Sequence, residues 1–297
     1  MATTNVNGYE IYYEISGDES GGPDVLWVHG GYGGIQSKYA PRTHFPGFEG
    51  VGRHFQADRR NCYRSETRLA AYTLDDTIDD LRRLLDVARS ETGGFQKPIL
   101  IGSSAGGPPA LGFALRYQEE LSALGLLNTG AHLMPEPGDA SLDGLAEGPR
   151  RRLEFNAKRL APVDMMKREG LDAAFEAHVA QIKAGLFNGV PADREADLRE
   201  AVKTLTDDDL KHYWGAMLLN MDAYRGYDYS DRLGEITLPT LLVHGTADQT
   251  VPFEYSEALK EGIPHAEFFP VAGAGHGISG DPEGHRITAE WIARVLA

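Results

Sequence analysis

Short apolar runs alternate with amphipathic helical patterns along most of the chain. Residues 24–28, 98–101 and 123–127 are largely apolar, which is typical of strands covered on both faces of a sheet. The expected strands are residues 9–15, 24–28, 54–57, 98–101, 123–127, 240–243 and 266–271. This alternation predicts an α/β fold with a mostly parallel sheet flanked by helices.

A helix is predicted before the strand at 98–101. Residues 73–76 read Thr-Leu-Asp-Asp, which resembles a capping box with aspartate in place of glutamate. Ile78, Leu81 and Leu85 then follow at helical spacing. We therefore expect a helix that begins near residue 74 and leads towards this strand.

The alternation breaks between residues 132 and 230. Pro135, Pro137 and Gly138 open a stretch without a convincing strand. Two amphipathic patterns follow, at residues 171–186 and 210–224, and both have the 3.6-residue period of a helix. We therefore predict a core domain formed by residues 1–131 and 231–297, with residues 132–230 as a helical insertion.

Composition and charge exclude several classes of partner. The 297 residues are enough for one large domain with an insertion, and the formal net charge of −15 argues against nucleic acid or an anionic membrane. The single cysteine, Cys62, cannot form an internal disulfide. The first residues lack a secretory signal and no long apolar run occurs, so we expect a cytoplasmic protein with a small-molecule partner. The oligomeric state stays open.

The sequence offers a candidate nucleophile directly after the run at 98–101. Residues 102–106 read Gly-Ser-Ser-Ala-Gly, the G-x-S-x-G arrangement that places a serine on a sharp turn between a strand and a helix. Pro108 and Pro109 follow, and prolines suit the first turn of a helix. Ser104 is therefore the candidate nucleophile, with an ordinary Ser/Gly turn as the alternative.

A serine nucleophile needs a base and a carboxylate that orients the base. His276 lies in a glycine-rich loop after the last apolar run, although any of the ten histidines also has surface or core packing as an alternative. Asp248 follows the strand at 240–243, where turn formation is the alternative. The loop after residue 127 contains no competing carboxylate. The order Ser104, Asp248, His276 favours a catalytic triad at the carboxyl ends of the strands.

Two main-chain amides are expected to stabilise the oxyanion. One belongs to Ala105, the residue after the nucleophile, and the other to Gly31 in the loop His-Gly-Gly-Tyr-Gly-Gly at 29–34. A glycine-rich loop of this kind could also bind phosphate. It lacks the G-x-G-x-x-G spacing and the Lys-Ser/Thr ending that nucleotide-binding loops use. We therefore predict neither a nucleotide or other cofactor nor a metal.

Taken together, the motifs resemble the α/β-hydrolase family along nearly the whole chain. The resemblance rests on His29-Gly30-Gly31, Gly102-x-Ser104-x-Gly106, the segment 239–248 and Gly275-His276, which occur in family order and spacing. It implies that residues 132–230 form a cap over the active site. It also implies substrate contacts from Tyr32, Trp214, Met217 and Met221, although an amphipathic stripe of this kind also occurs in a plain core.

One loop departs from the family pattern. Residues 58–65 align with D-x-R-G-x-G-x-S, but Asn61 and Tyr63 replace both glycines. Because tyrosine adopts a left-handed conformation poorly, we expect this loop to follow a different path and to bring Tyr63 near the cleft. Cys62 is expected to be a small buried residue without a nucleophilic role.

The resemblance leaves several activities open. A serine nucleophile argues against the epoxide hydrolases and dehalogenases of the family, which use aspartate. Proline iminopeptidases share the His-Gly-Gly opening but differ at Tyr32 and Ala105, and carbon–carbon bond hydrolases differ at Gly277. We therefore predict hydrolysis of a small carboxylic ester or lactone through an acyl-enzyme. The alternative of another class is a small-molecule receptor on the same fold.

Overall fold

The computed structural model describes residues 2–17, 22–34, 48, 50–133, 160–183, 199–200 and 202–296. Its centre is an eight-stranded sheet with the order β1-β2-β4-β3-β5-β6-β7-β8. The strands are β1 (Ala2–Val6), β2 (Tyr9–Gly17), β3 (Asp24–Val28), β4 (Arg53–Ala57), β5 (Ile99–Ser103), β6 (Ala123–Leu127), β7 (Thr240–Gly245) and β8 (Glu267–Val271). Only β2 runs opposite to the other strands, so the predicted mostly parallel sheet is confirmed.

The seven predicted strands are all present, with bounds that differ by two residues or fewer. The first strand, β1, was not predicted because its sequence Ala-Thr-Thr-Asn-Val is short and mostly polar. It pairs with β2 through a tight hairpin turn at Asn7-Gly8, where both residues have positive φ. Asn-Gly is the strongest short-range hairpin signal, and this dipeptide could have revealed the strand.

Helices cover both faces of the sheet. They are α1 (Leu74–Thr92), α2 (Gly107–Tyr117), α3 (160–169), α4 (Leu171–Lys183), α5 (Asp207–Ala223), α6 (Glu254–Gly262) and α7 (Pro282–Arg294). The predicted capping box is confirmed at α1, where Thr73 and Asp76 bond each other's main-chain N–H groups. Helix α2 has proline in its first turn, as the sequence suggests. No helix among the described residues is both long and apolar enough to cross a membrane.

Apolar side chains fill the space on both sides of the sheet. Leu26 and Leu100 pack into the larger core on one face, whereas Val25, Trp27 and Ile101 pack into the core on the other. Neighbouring residues of one strand thus point into different cores, as the period of two requires. The continuous apolar runs in the sequence therefore reflect strands that are buried on both faces.

Within the predicted insertion, the described residues from 160 to 223 are helical apart from short links such as 205–206. Helices α4 and α5 pack against each other through Phe175, Val179, Leu210 and Trp214. Helix α5 begins with a second capping box, between Thr206 and Asp209. The predicted break at residues 135–138 and the end of the first helical pattern at residue 186 lie outside the described residues.

Candidate active site

The strand-to-helix turn after β5 places Ser104 at the carboxyl edge of the sheet. Ser104 has a φ of +50°, which is unusual for a residue with a side chain and is typical of a strained, functional turn. The turn also brings two chain segments very close together. A Cβ atom at Gly106 would lie 2.1 Å from the Val28 carbonyl oxygen, so only glycine fits there. This crowding explains why the last position of the G-x-S-x-G motif is glycine.

Three side chains from separate loops meet at this edge in a continuous hydrogen-bonded series. Ser104 Oγ lies 2.8 Å from His276 Nε2, and His276 Nδ1 lies 2.8 Å from Asp248 Oδ2. An ionised carboxylate only accepts hydrogen bonds, so Nδ1 carries the proton of a neutral His276. Nε2 is then free to accept the hydrogen of the Ser104 hydroxyl. This is the arrangement that a general base requires.

The Asp248 carboxylate is buried and accepts four hydrogen bonds. The main-chain N–H groups of Thr250 and Val251 donate to Oδ1 at 2.6 and 3.0 Å. His276 and His244 contact Oδ2 at 2.8 and 3.2 Å. Burial acts to raise the pKa of Asp248, but the hydrogen bonds from His244 and His276 outweigh it and hold that pKa well below its usual range. The carboxylate is therefore ionised at neutral pH.

His244 is a neighbour of the acid that the sequence analysis did not single out. Its Nε2 faces two acceptors, Asp248 Oδ2 and the Val251 carbonyl at 3.0 Å, so this nitrogen carries the hydrogen. Its Nδ1 contacts the Ser256 hydroxyl, which donates to it. The carboxylate of Asp248 thus lies between two histidines, one fully buried and one beside Ser104. The position of His244, four residues before Asp248 at the end of the same strand, could have indicated this contact.

The candidate oxyanion amides are those of Gly31 and Ala105. In both, the carbonyl group of the preceding residue accepts a hydrogen bond from a side chain. His29 Nε2 accepts the Arg59 main-chain N–H at 2.9 Å, so Nδ1 carries the hydrogen and donates to the Gly30 carbonyl at 2.7 Å. Thr129 Oγ1 donates to the Ser104 carbonyl at 2.8 Å. In a trans peptide the N–H points away from its carbonyl, so these bonds direct the amides of Gly31 and Ala105.

The loop after β6, which lacks a carboxylate, holds its neighbours instead. Asn128 Nδ2 donates to the main-chain carbonyls of Gly275 and His276 at 3.2 and 2.5 Å. Asn128 Oδ1 accepts the Gly245 N–H at 3.2 Å. This one amide side chain therefore ties the loop that carries His276 to the end of β7, close to Asp248. Sequence analysis used this loop only to exclude a competing acid.

The 58–65 loop differs from our expectation. Asn61 and Tyr63 have φ values of +59° and +49°, so both adopt the left-handed conformation that glycine adopts easily. The premise that Tyr63 avoids the left-handed conformation is therefore wrong. A Cβ on Gly31 would lie 3.1 Å from the Tyr63 hydroxyl, and the Tyr63 ring packs edge-on against His29. Cys62 is fully buried.

The four residues expected to contact substrate occupy different surroundings. Trp214 and Met221 are only 7% and 2% exposed and belong to packed apolar clusters. Met217 is half-buried, and its Sδ would lie 3.1 Å from a Cβ on Gly34 of the 29–34 loop. Tyr32 is half-buried in the same loop. Within the described ranges, no group of three or more His, Cys, Asp or Glu side chains is arranged to hold a metal ion.

Comparison with known proteins finds hydrolases that match this chain over nearly its whole length. The chain is 27% identical over 296 residues to a candidate carbamate hydrolase, RutD, of Caulobacter vibrioides, covering 95% of this chain and 94% of that protein. It is 28% identical over 282 residues to the proline iminopeptidase PfmaB of Pestalotiopsis fici, covering 92% of each. A solved thermophilic esterase from Thermogutta terrifontis matches with a TM-score of 0.63 at 25% identity, covering 99% of this chain and 97% of that chain.

A family model also matches this chain. The model described as alpha/beta hydrolase fold matches residues 23–282, which include the turn at Ser104, the 29–34 loop and the loops that carry Asp248 and His276. Because this match spans most of the sequence, the chain belongs to the α/β-hydrolase family.

Proposed function

We propose that this protein is a serine hydrolase that cleaves small carboxylic esters, including lactones, through an acyl-enzyme on Ser104. The observation that carries the proposal is the hydrogen-bonded series from Ser104 Oγ through His276 to Asp248, with 2.8 Å at each step. Each proton in the series has one consistent position, because the ionised carboxylate fixes the histidine tautomer. Family membership supports hydrolysis, and the geometry supports serine as the nucleophile.

The acylation step uses the three side chains in turn. Ser104 Oγ bonds to the acyl carbon while its proton passes to His276 Nε2, and the carbonyl oxygen becomes negative. The amides of Gly31 and Ala105 stabilise this oxygen, and Asp248 remains ionised and stabilises the imidazolium. The bond between the acyl carbon and the leaving oxygen then breaks. That oxygen takes the proton from Nε2 and departs as an alcohol, or stays attached when the substrate is a lactone.

Water completes the cycle by the same route. It donates one proton to the now neutral His276 Nε2 and bonds to the acyl carbon through its oxygen. The second tetrahedral intermediate collapses, Ser104 Oγ leaves and recovers a proton from the imidazolium, and the carboxylic acid is released. No redox change occurs in either half, and the same two amides stabilise both oxyanions.

Two residues favour esters and lactones over amides as substrates. They are Ala105, which follows Ser104, and Tyr32 in the 29–34 loop. Proline iminopeptidases resemble this chain at His-Gly-Gly, but Tyr32 and Ala105 stand where those enzymes have proline and tryptophan. An amide also has a poorer leaving group, which the acid must protonate more fully. The relatives named as a carbamate hydrolase and a proline iminopeptidase therefore define the competing substrates that a test must include.

The decisive experiment is a substrate panel with a serine-specific label. The panel contains p-nitrophenyl esters of graded acyl length, aliphatic lactones, a carbamate and aminoacyl amides. A fluorophosphonate probe should label Ser104, and peptide mapping should distinguish it from Ser103, which is adjacent. We expect Ser104→Ala to abolish turnover, on the order of a million-fold in kcat. Ser103→Ala is the matched control and should retain activity.

The same assay separates an enzyme from a receptor. An enzyme completes many turnovers on an activated ester, whereas a receptor on this fold releases at most about one product per protein molecule. Preferential cleavage of the aminoacyl amides would replace the ester proposal with a peptidase. Label found on Ser103, or activity that survives Ser104→Ala, would contradict the assigned nucleophile.

A further inference from the structure

Three consecutive carbonyl groups of the 29–34 loop accept hydrogen bonds from buried side chains. The Gly30 carbonyl accepts one from His29 Nδ1 at 2.7 Å, and the Tyr32 carbonyl accepts one from Asn220 Nδ2 at 2.8 Å. Between them, the Gly31 carbonyl accepts a hydrogen bond from Arg59 Nη2. Because each carbonyl fixes the direction of the N–H that follows it, these bonds determine how the loop presents its amides.

Arg59 is a buried cation without a carboxylate partner among the residues that the structure describes. Its Nη1 donates to the Tyr224 hydroxyl, and its guanidinium lies 5.4 Å from the centre of that ring. Arg60 is equally buried, both being 5% exposed, but it forms two hydrogen bonds of 2.6 Å with Asp80. Burying a cation without a counter-ion is unfavourable, so fold stability alone does not account for the charge of Arg59.

Residue 59 acts on both peptide groups of Gly31. Its guanidinium holds the Gly31 carbonyl directly, and its main-chain N–H donates at 2.9 Å to His29, which holds the Gly30 carbonyl. Gly31 has a φ of +77°. A glycine has access to many conformations, so an amide on Gly31 points in a defined direction only if its neighbours select one.

We propose that Arg59 is a positioning residue for the oxyanion site, which fixes Gly31 and places a positive charge beside its peptide group. This inference rests on the proposed function, because the acyl oxygen becomes negative only when Ser104 attacks a carbonyl carbon. Because Arg59 is buried, water screens its charge weakly, and the cation stabilises that negative charge more than it stabilises the neutral substrate. Loss of Arg59 therefore lowers kcat and leaves KM nearly unchanged.

The test compares Arg59→Met, Arg59→Lys and the matched control Arg60→Lys in the full chain. Arg59→Met should lower kcat on an activated ester about 10- to 100-fold, less than the roughly 100- to 1,000-fold loss for a direct oxyanion donor. A trifluoromethyl ketone, which forms a charged adduct with the serine, should bind more weakly by the same factor. Arg59→Lys keeps the charge and should recover part of both losses.

The control separates positioning from stability. Arg60→Lys loses contacts to Asp80 and should lower the melting temperature, but kcat and ketone affinity should match the parent. Hydrogen exchange of the 29–34 amides is a readout independent of turnover, and it should quicken in Arg59→Met and not in Arg60→Lys.

Three results would overturn the proposal. Arg59→Met could retain the parent's kcat and ketone affinity, Arg60→Lys could lose them equally, or exchange in the loop could stay unchanged. If Arg59→Met does not fold, Arg59→Lys decides by the same measurements. A parent protein that hydrolyses no ester contradicts the proposed function, whereas the exchange data still test the position of the loop.

Discussion

The two halves of the candidate site are held in place by different kinds of contact. The acid–base half, Ser104, Asp248 and His276, consists of side chains that bond one another at the ends of β5, β7 and β8. The oxyanion half, the 29–34 loop and Ala105, consists of main-chain amides. Their direction depends on side chains that hold the neighbouring carbonyls.

This difference determines how each half responds to substitution. Under the proposed function, a change in the acid–base half removes a group that takes part in proton transfer, and the chemistry stops. A change in the oxyanion half then turns a dipole away from the reacting oxygen, and the reaction slows while its proton path stays intact. We therefore expect losses of several orders of magnitude in the first half and graded losses in the second.

After Ser104→Ala, the largest effect in the acid–base half is expected for Asp248→Asn. The asparagine amide cannot orient the neutral His276 as the carboxylate does, so kcat should fall about 10,000-fold. Steady-state kinetics on the preferred ester measure the loss, and a fluorophosphonate labelling rate should fall in parallel. A loss of less than about tenfold would show that another carboxylate orients the base.

The same variant tests the ionisation of Asp248. Because the pKa of Asp248 is lowered in the folded protein, its ionised form stabilises the fold above the unfolded-state pKa of about 3.9, and this contribution is lost as the pH falls below that value. Asp248→Asn should therefore be less stable than the parent at pH 7. Urea unfolding should show the difference narrowing below about pH 4. A constant difference across this range would contradict the lowered pKa.

The next effect is expected for Gly31→Ala in the oxyanion half. Gly31 has a φ of +77°, and a Cβ there would lie 3.1 Å from the Tyr63 hydroxyl, so alanine displaces the peptide group. We expect kcat to fall roughly 100- to 1,000-fold with little change in KM. Gly93→Ala is the matched control, because Gly93 has a φ of +70° and open space around it. Equal kinetic losses in both variants would indicate a general stability effect.

The acid–base half was predictable because each of its residues lies in a short motif at the end of an apolar strand. Ser104, Asp248 and His276 need only the strand order to bring them together. The contacts that hold the oxyanion half leave no such pattern. Asn220 contacts the Tyr32 carbonyl across 188 positions of sequence, and Arg59 stands at a position that the D-x-R-G-x-G-x-S pattern leaves unspecified. A side chain that bonds a distant carbonyl produces neither periodicity nor a motif.

The 58–65 loop shows a second reason why the sequence misleads. The low preference of tyrosine for the left-handed conformation predicts that Tyr63 avoids positive φ. Packing against His29 and the neighbouring loop outweighs this local preference. An αL conformation costs about 1–2 kcal/mol for a residue with a side chain. Tertiary contacts of a buried aromatic residue exceed that amount, so single-residue propensity could not decide the path of this loop.

A smaller effect is expected from His244, which joins the acid–base half without transferring the serine proton. His244→Leu removes one of the four donors to Asp248, and kcat should fall about tenfold. A hydrogen bond to a charged group contributes about 1.5–3 kcal/mol, and only part of this free energy affects the activation barrier. His244→Gln restores a donor and should recover most of the activity. The dependence of kcat on pH should stay that of the parent in both variants. A loss as large as that of Asp248→Asn would place His244 in the proton path.

The smallest effect concerns the boundary between the oxyanion half and helix α5. Met217 is half-buried against Gly34, whereas Trp214 is buried among Phe175 and Leu210. Met217→Ala should shift the preferred acyl length, because each methylene in an apolar pocket contributes about 1 to 3 kcal/mol of discrimination. Trp214→Ala should instead lower the free energy of unfolding by about 3 to 5 kcal/mol with an unchanged order of substrates.

The measurement for this last pair is kcat/KM across the graded ester series, together with urea unfolding of each variant. Met217 reaches the loop whose carbonyls Arg59 and Asn220 hold, so a change in acyl preference would mean that helix α5 shapes the pocket from the oxyanion side. If Met217→Ala lowers stability and leaves the order of substrates unchanged, Met217 is a core residue like Trp214. Acyl length would then be determined elsewhere, and helix α5 would act on the oxyanion half through the bond from Asn220 to Tyr32.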